Sequence, residues 1–253
     1  MKIIAIASQK GGSGKSTTAA VIIDYLSRMG KRVLAIDLND QGDLTDTLGA
    51  EATTSGAGEV LKGKTVAGTA TETNLRGVDI LTGAEDLALL ETKITATGRA
   101  RAEILRNALR PQHRYYNFVI IDSPGSFNTA FLNALAAADS IIITTQPDYY
   151  SLRGVNRIIE NVATVRAINP GLKVDGILLT RYQGRRNVTR EAVEKLKEME
   201  TELNTKLFDA KIRENAKTAE APKSHKSVIS YAPGSIGAED YTEFLKEYFT
   251  GGK

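Results

Sequence analysis

The chain has no cysteine and no tryptophan, only two histidines and six prolines, and 6% aromatic residues over its 253 positions. Without cysteine there is no disulfide, thiolate metal site, iron–sulfur cluster or cysteine nucleophile, which fits a reducing compartment. No apolar run approaches the roughly 18–20 residues that a membrane-spanning helix needs. The opening stretch Met1-Lys2-Ile3-Ile4-Ala5-Ile6-Ala7 is too short for a signal peptide and leads straight into glycines, so it reads as a buried strand. A dominant charge is missing too: 33 Lys+Arg meet 30 Asp+Glu, a net +3. The surplus is uneven, with twelve basic against eight acidic residues in 181–226 and two against four in 227–253. A modest basic segment suits a phosphate-bearing partner, and on charge alone it suits a solvated helical face equally well.

What is present is an ordinary globular composition, 42% hydrophobic and 25% charged, enough for one sizeable core. Strands are expected at 2–8, 32–37, 78–81, 117–122, 140–144 and 174–180. Several, such as Val119-Ile120-Ile121 and Ile141-Ile142-Ile143, are continuous apolar runs, the pattern of a strand covered on both faces. Helices are expected at 15–29, 85–109, 127–137, 152–168, 188–203 and 238–249, and residues 50–73 as a surface loop with a short helix near 59–62. Alternation of this kind predicts βαβ units. No repeat, low-complexity tract or Pro/Gly-rich linker divides the chain. The expectation is an α/β layer sandwich, a mostly parallel twisted sheet flanked by helices, as a single domain over residues 1–253.

The sharpest feature is Lys10-Gly11-Gly12-Ser13-Gly14-Lys15-Ser16-Thr17, directly after a strand and before a helix. The backbone N–H groups of such a loop form an anion nest, and the helix N-terminus adds partial positive charge. Glycines let the backbone approach phosphates closely, partly at positive φ. Lys15 is placed to reach β- and γ-phosphates and the Ser16 hydroxyl to ligate Mg²⁺.

The common pattern G-x-x-x-x-G-K-[ST] fails at Gln9, and a lysine stands at position 10 instead. This resembles the deviant Walker A loop of the SIMIBI-class ATPases, with Lys10 as the signature residue. The resemblance implies that two subunits sandwich two nucleotides and that Lys10 reaches the partner's phosphates, as an arginine finger does. Further segments are similar to the ParA/Soj-type partition ATPases: Arg32–Gly42, Tyr116–Pro124, Gln146–Gly154, Gly176–Tyr182 and Ile212–Pro222. Within them Asp122 ends an apolar strand at its carboxyl edge, where α/β proteins place ligands, and is expected to hold Mg²⁺ through water. Asp37 would face the same crevice and steady the metal shell or the attacking water.

The chain departs from the family's D-x-D-P-Q-G at Asn39. Asn can hydrogen-bond a water but cannot take its proton as a carboxylate would. Asp40 is a poor replacement, since neighbouring side chains on extended backbone point to opposite sides. Three explanations stand: a naturally slow enzyme, a shifted catalytic role, or a sequence altered to hold the ATP state. The family's Pro-Arg-Asn near the adenine reads Arg213-Glu214-Asn215, so only Asn215 carries over as a base contact.

The resemblance implies ATP or ADP with Mg²⁺ as ligands, an ATP-dependent homodimer, non-specific DNA binding, and hydrolysis stimulated by a ParB-type partner. It also implies a cytoplasmic, nucleoid-associated protein. Arg185 and Lys217 align with the family's basic DNA-contacting positions, and Arg186 and Lys223 widen the patch. No helix-turn-helix domain is expected before the loop, as in the shorter subtype. Two rivals remain, a MinD-like membrane-associated positioning ATPase and a non-hydrolysing, ATP-locked scaffold. Membrane anchoring would use a C-terminal amphipathic helix. Here Tyr241, Phe244, Leu245, Tyr248 and Phe249 make an apolar stripe, but Glu239, Asp240, Glu243 and Glu247 face one Lys246, which anionic lipid repels. A helix docked on the core is expected at about 238–249.

Overall fold

The apolar runs pair into one eight-stranded sheet in the computed structural model, which describes residues 1–51, 56–83, 87, 90, 98–184, 187–203 and 205–251. The strands are β1 (Lys2–Ala7), β2 (Val33–Asp37), β3 (Thr71–Glu72), β4 (Val78–Leu81), β5 (Phe118–Asp122), β6 (Ser140–Thr145), β7 (Lys173–Tyr182) and β8 (Leu207–Arg213). Their order is β3-β4-β2-β5-β1-β6-β7-β8, parallel throughout except for β3 against β4. The helices in chain order are α1 (Lys15–Arg28), α2 (Asp43–Thr47), α3 (Ala57–Leu61), α4 (Gly98–Ala102), α5 (Ile104–Leu109), α6 (Thr129–Ala137), α7 (Tyr149–Val165), α8 (Asn187–Leu203), α9 (Ala216–Glu220), α10 (Val228–Tyr231) and α11 (Ile236–Thr250).

Period-two alternation along each strand divides the core. Ile3, Ala5 and Ala7 of β1 join Val119 and Ile121 under α3, α5, α6, α7 and α8. Ile4 and Ile6 face the other way with Ile120, Ile142 and Phe208, under α1, α10 and α11. Both faces are covered, which is why the central strands read as unbroken apolar runs. The expected mostly parallel α/β sandwich is the observed one.

Three expectations are corrected. β8 falls outside the expected strands; it alternates Phe208, Ala210 and Ile212 inward with Asp209 and Arg213 outward, as befits an edge strand with one covered face. Residues 50–73 are not simply a surface loop, since Val60, Leu61 and Val66 are buried in the core. The expected helix over 85–109 is described only in its later part, where it is broken into α4 and α5.

α11 lies on β8, with the Phe208 and Phe244 rings edge to face at 5.0 Å and Tyr248 stacked on Phe244 at 5.9 Å. Tyr241, Phe244 and Leu245 are buried. The apolar stripe that a membrane anchor would present is thus covered by the sheet. Among the described residues no helix is long and apolar enough to cross a membrane.

Candidate functional site

The site forms where the sheet order turns around β1, the place where open α/β sheets bind ligands. β1 ends at Ala7 and the glycine loop crosses to α1 with Gly12 at φ 68° and Gly14 at φ 80°. A Cβ on Gly14 would also lie 3.2 Å from Thr180 Cγ2, so both conformation and space favour glycine there. Neighbouring strand ends brace the loop. Thr180 Oγ1 donates to the Ser13 carbonyl at 2.8 Å, and Gln146 Nε2 to the Gly12 carbonyl at 2.9 Å. The first turn of α1 carries no acidic residue, which leaves its unpaired N–H groups and dipole open to an anion.

Lys15 is buried at the base of the loop, on a cleft of about 430 Å³ that also meets Gly11, Ser16, Asn39, Asp43 and Gly125. A second cleft of about 280 Å³ adjoins it across Gly12, Gly14 and Thr17, between Arg181, Arg213, Asn215 and Tyr241. Asn215 lines this second cleft while its side chain caps α9 by accepting from the Lys217 N–H at 2.8 Å. Tyr241 brings α11 to the site, its hydroxyl 3.1 Å from Thr18 Oγ1. Thr218 Oγ1, also in this wall, is buried without a hydrogen-bond partner.

Asp37 and Asp122 end adjacent strands at the same level of the sheet, directly paired in register. Their surroundings differ. Asp37 is saturated: Oδ1 accepts from the Asn39 N–H at 3.0 Å, and Oδ2 from the Thr45 N–H and hydroxyl, both at 2.9 Å. Burial pushes its carboxyl up, and the hydrogen bonds from Thr45 and Asn39 oppose that shift. Asp122 is fully buried and neither carboxylate oxygen has a hydrogen-bond partner. Burial, then the charge of Asp37, pushes it up to about 8, against the nearby Ser16 hydroxyl and Lys15 ammonium. An orphaned carboxylate beside a hydroxyl is the donor set a hard divalent cation takes. The residues therefore fit Mg²⁺.

Asn39 turns its amide inward, Nδ2 lying 3.4 Å from Asp37 Oδ1 and 3.5 Å from the Asp122 carbonyl, while Asp40 is exposed. Gly83 closes this corner: a Cβ there would fall 2.4 Å from the Asn39 carbonyl oxygen. Lys10 is held by the end of β6 and the start of α7, its Nζ 2.6 Å from Asp148 Oδ2 and 3.4 Å from Gln146 Oε1. Burial would raise Asp148, but hydrogen bonds from Lys10 and Ser151 outweigh it and hold the carboxyl below its usual range.

Arg181 and Arg213 line the second cleft, while the basic candidates Lys217 and Lys223 belong to the same stretch of chain without lining it. Lys217, on α9, pairs with Glu220 at 2.8 Å, and Lys223 is exposed on the following turn. Arg181 pairs with Glu214 at 2.7 Å. Arg185 and Arg186 lie outside the described residues. Sequence reasoning places Gln146, Asp148 and Thr180 in family-like segments and Tyr241 on the apolar stripe, but gives neither them nor Asp43 a role at the site, because each reaches the loop from a distant part of the chain.

A braced glycine loop between strand and helix, with a buried carboxylate at the next strand's end, defines a P-loop nucleotide-binding protein. A family model described as an AAA domain (AAA_31) matches residues 1–174. The chromosome-partitioning ATPase Soj of Thermus thermophilus is 37% identical over 96% of this chain and 94% of its own length. The sporulation initiation inhibitor protein Soj of Bacillus subtilis is 33% identical, with 99% of each chain covered. Among solved structures, the septum site-determining protein MinD of Pyrococcus horikoshii, complexed with Mg-ADP, is similar with a TM-score of 0.75 and 26% identity, over 97% of this chain and 95% of that one. The chain belongs to the Soj/ParA family of partition ATPases.

Proposed function

We propose that this ATPase is a nucleotide-switched partition protein: with ATP and Mg²⁺ it closes as a homodimer that binds DNA without sequence preference, on the nucleoid, and a ParB-type partner stimulates the hydrolysis that releases it. The observation that carries the ATP-dependent part is the orphaned Asp122 carboxylate beside Ser16 and Lys15, at the foot of an anion cradle. Lys15 holds the β- and γ-phosphates, with the backbone N–H groups of Gly11–Thr17 around them. Ser16 and Asp122 would hold the Mg²⁺, which would supply neutralisation of the phosphate charge. Asp37 fixes the 39–45 turn, and Asn39 offers its amide to the attacking water. Lys10 leaves Asp148 to meet the partner subunit's nucleotide. Asn215 and the wall of the second cleft receive the base.

Lys217 and Lys223 support DNA binding by position. Their segment, 215–223, lines the second cleft through Asn215 and the phosphate cleft through Pro222, so nucleotide closure and the basic surface share one short stretch of chain. Anisotropy of a random duplex titrated in Mg·ATP and in Mg·ADP, at two salt concentrations, tests the reading. Tight binding in ATP alone is expected. The double variant Lys217→Ala/Lys223→Ala should reduce the slope of log K against log salt by about 0.9 for each phosphate that these lysines neutralise. Equal binding in both nucleotides would refute the switch, and an unchanged slope would remove these lysines from the DNA surface.

Hydrolysis by this chain is slow, because position 39 carries an amide where the family carries a carboxylate. Asn39→Asp should raise steady-state phosphate release at least about tenfold, the lower part of what a positioned acid–base group contributes. No gain would show that position 39 does not limit turnover. The covered stripe of α11 argues against a MinD-like anchor; sedimentation with anionic vesicles in Mg·ATP should leave the protein in the supernatant.

A further inference from the structure

The acids around the phosphate cleft are not equivalent, and of those that line it beside Lys15 and Ser16 one has a side chain without a partner among the described residues. Asp37 accepts four hydrogen bonds from Asn39 and Thr45 and serves as the fastening of the turn. Asp122 lies fully buried behind Ser16 and Lys15, in the position that fits the cation. Asp46 lines the cleft but is turned to His225, whose Nδ1 lies 3.4 Å from Asp46 Oδ1. Asp148 is held by Lys10 at 2.6 Å. Asp40 is exposed and does not line the cleft. Asp43 is the exception. It opens α2 on the wall shared with Lys15, Ser16, Asn39 and Gly125. Its side chain has no hydrogen-bond or ion-pair partner among the described residues, and its charge is felt at Asp122, across the cleft floor.

We propose that Asp43 supplies the carboxylate that position 39 lacks: Asn39 orients the attacking water and Asp43 takes its proton. The inference rests on the hydrolytic reading above. The water oxygen bonds to the γ-phosphorus, and the bond from that phosphorus to the bridging oxygen breaks with its electron pair going to ADP. The water's proton passes to the Asp43 carboxylate and from there to solvent. An unpaired carboxylate on an open cleft suits this role, since it is free to approach the water and to shed the proton afterwards. The turn makes the shift feasible. Gly42, at φ 67°, reverses the chain between Asn39 and Asp43, so the residue after the turn comes back to the same cleft.

The test measures phosphate release and equilibrium binding of a fluorescent ATP analogue for four proteins: native, Asp43→Asn, Asn39→Asp, and the exchanged pair Asn39→Asp/Asp43→Asn. Asp43→Asn is expected to lower turnover about 100-fold. Its nucleotide affinity should be unchanged or tighter, because a negative charge beside the triphosphate is removed, and its melting temperature should match native. The exchanged pair should recover turnover to native level or above, since a carboxylate again faces the water. Turnover of Asp43→Asn within twofold of native would overturn the proposal. So would an exchanged pair as inactive as Asp43→Asn, or a loss of turnover matched by a loss of affinity. Failure of the native protein to bind the analogue would instead overturn the site reading itself.

Discussion

Lys10→Ala is expected to lower ATP turnover about a thousandfold, the lower end of what a cation delivered across an interface contributes to phosphoryl transfer, while the variant still binds ATP as a monomer. The structure shows why these effects separate. Lys10 does not touch the phosphate cleft of its own chain; its Nζ rests on Asp148 and Gln146. The pair is part exposed, with 40% of the Lys10 side chain and 30% of the Asp148 side chain open to solvent. Pairs of that kind contribute at most about 1 kcal/mol. A thousandfold rate effect is about 4 kcal/mol, so exchanging the Asp148 contact for a partner's developing phosphate charge is favourable by a wide margin. Light scattering in Mg·ATP should show native dimer and Lys10→Ala monomer. Asp148→Asn separates cation from latch: it keeps the cap on α7, frees Lys10, and should retain turnover. Loss of activity in Asp148→Asn equal to that in Lys10→Ala would mean that the intrachain pair itself does the work.

Asp122→Asn is expected to act in opposite directions on stability and on activity. The native carboxyl is pushed up to about 8, against an ordinary value of 3.8. A raised carboxylate costs nothing below the unfolded value, where both states are protonated. Its cost grows as pH rises from about 4, where the unfolded chain ionises first, and is complete above about 8. At pH 8 the nucleotide-free native protein has therefore met nearly all of that cost, either by keeping the Asp122 proton or by burying an unpaired charge, and the amide meets neither. The amide's own unpaired polar atoms offset part of the gain, leaving the variant more stable by on the order of 2 kcal/mol, or several degrees in melting temperature. That advantage should shrink to nothing as the pH is brought down to 4. In Mg·ATP the order reverses: native is stabilised by its ligand, while the variant loses Mg²⁺-dependent turnover by at least about 100-fold. A variant that melts with native at pH 8, or that keeps its Mg²⁺ dependence, would contradict this account of Asp122.

The phosphate loop is legible in the sequence because its chemistry is local. Gly12 and Gly14 take positive φ within a single run of residues, and the helix that follows begins at Lys15. The central strands are legible because burial on two faces leaves unbroken apolar runs. β8 is not, since an edge strand carries only every second apolar residue and Asp209 and Lys211 interrupt it. Residues 50–73 escape for a related reason: Val60, Leu61 and Val66 are buried by contacts with distant segments rather than by their own periodicity.

The site divides along the same line. From Lys10–Thr17 and the strand ending at Asp122 the sequence alone determined a phosphate-binding P-loop, because these features depend on residue type and short spacing, and the resemblance to partition ATPases is what marks position 39 as lacking a carboxylate. Tertiary structure decided which charges are free. It paired Lys10 with Asp148, saturated Asp37 through Thr45, left Asp122 without a donor, and brought Asp43 to the cleft unpartnered among the described residues. Each outcome depends on where separate strand ends and turns meet around β1, and one-dimensional spacing does not encode that three-dimensional proximity.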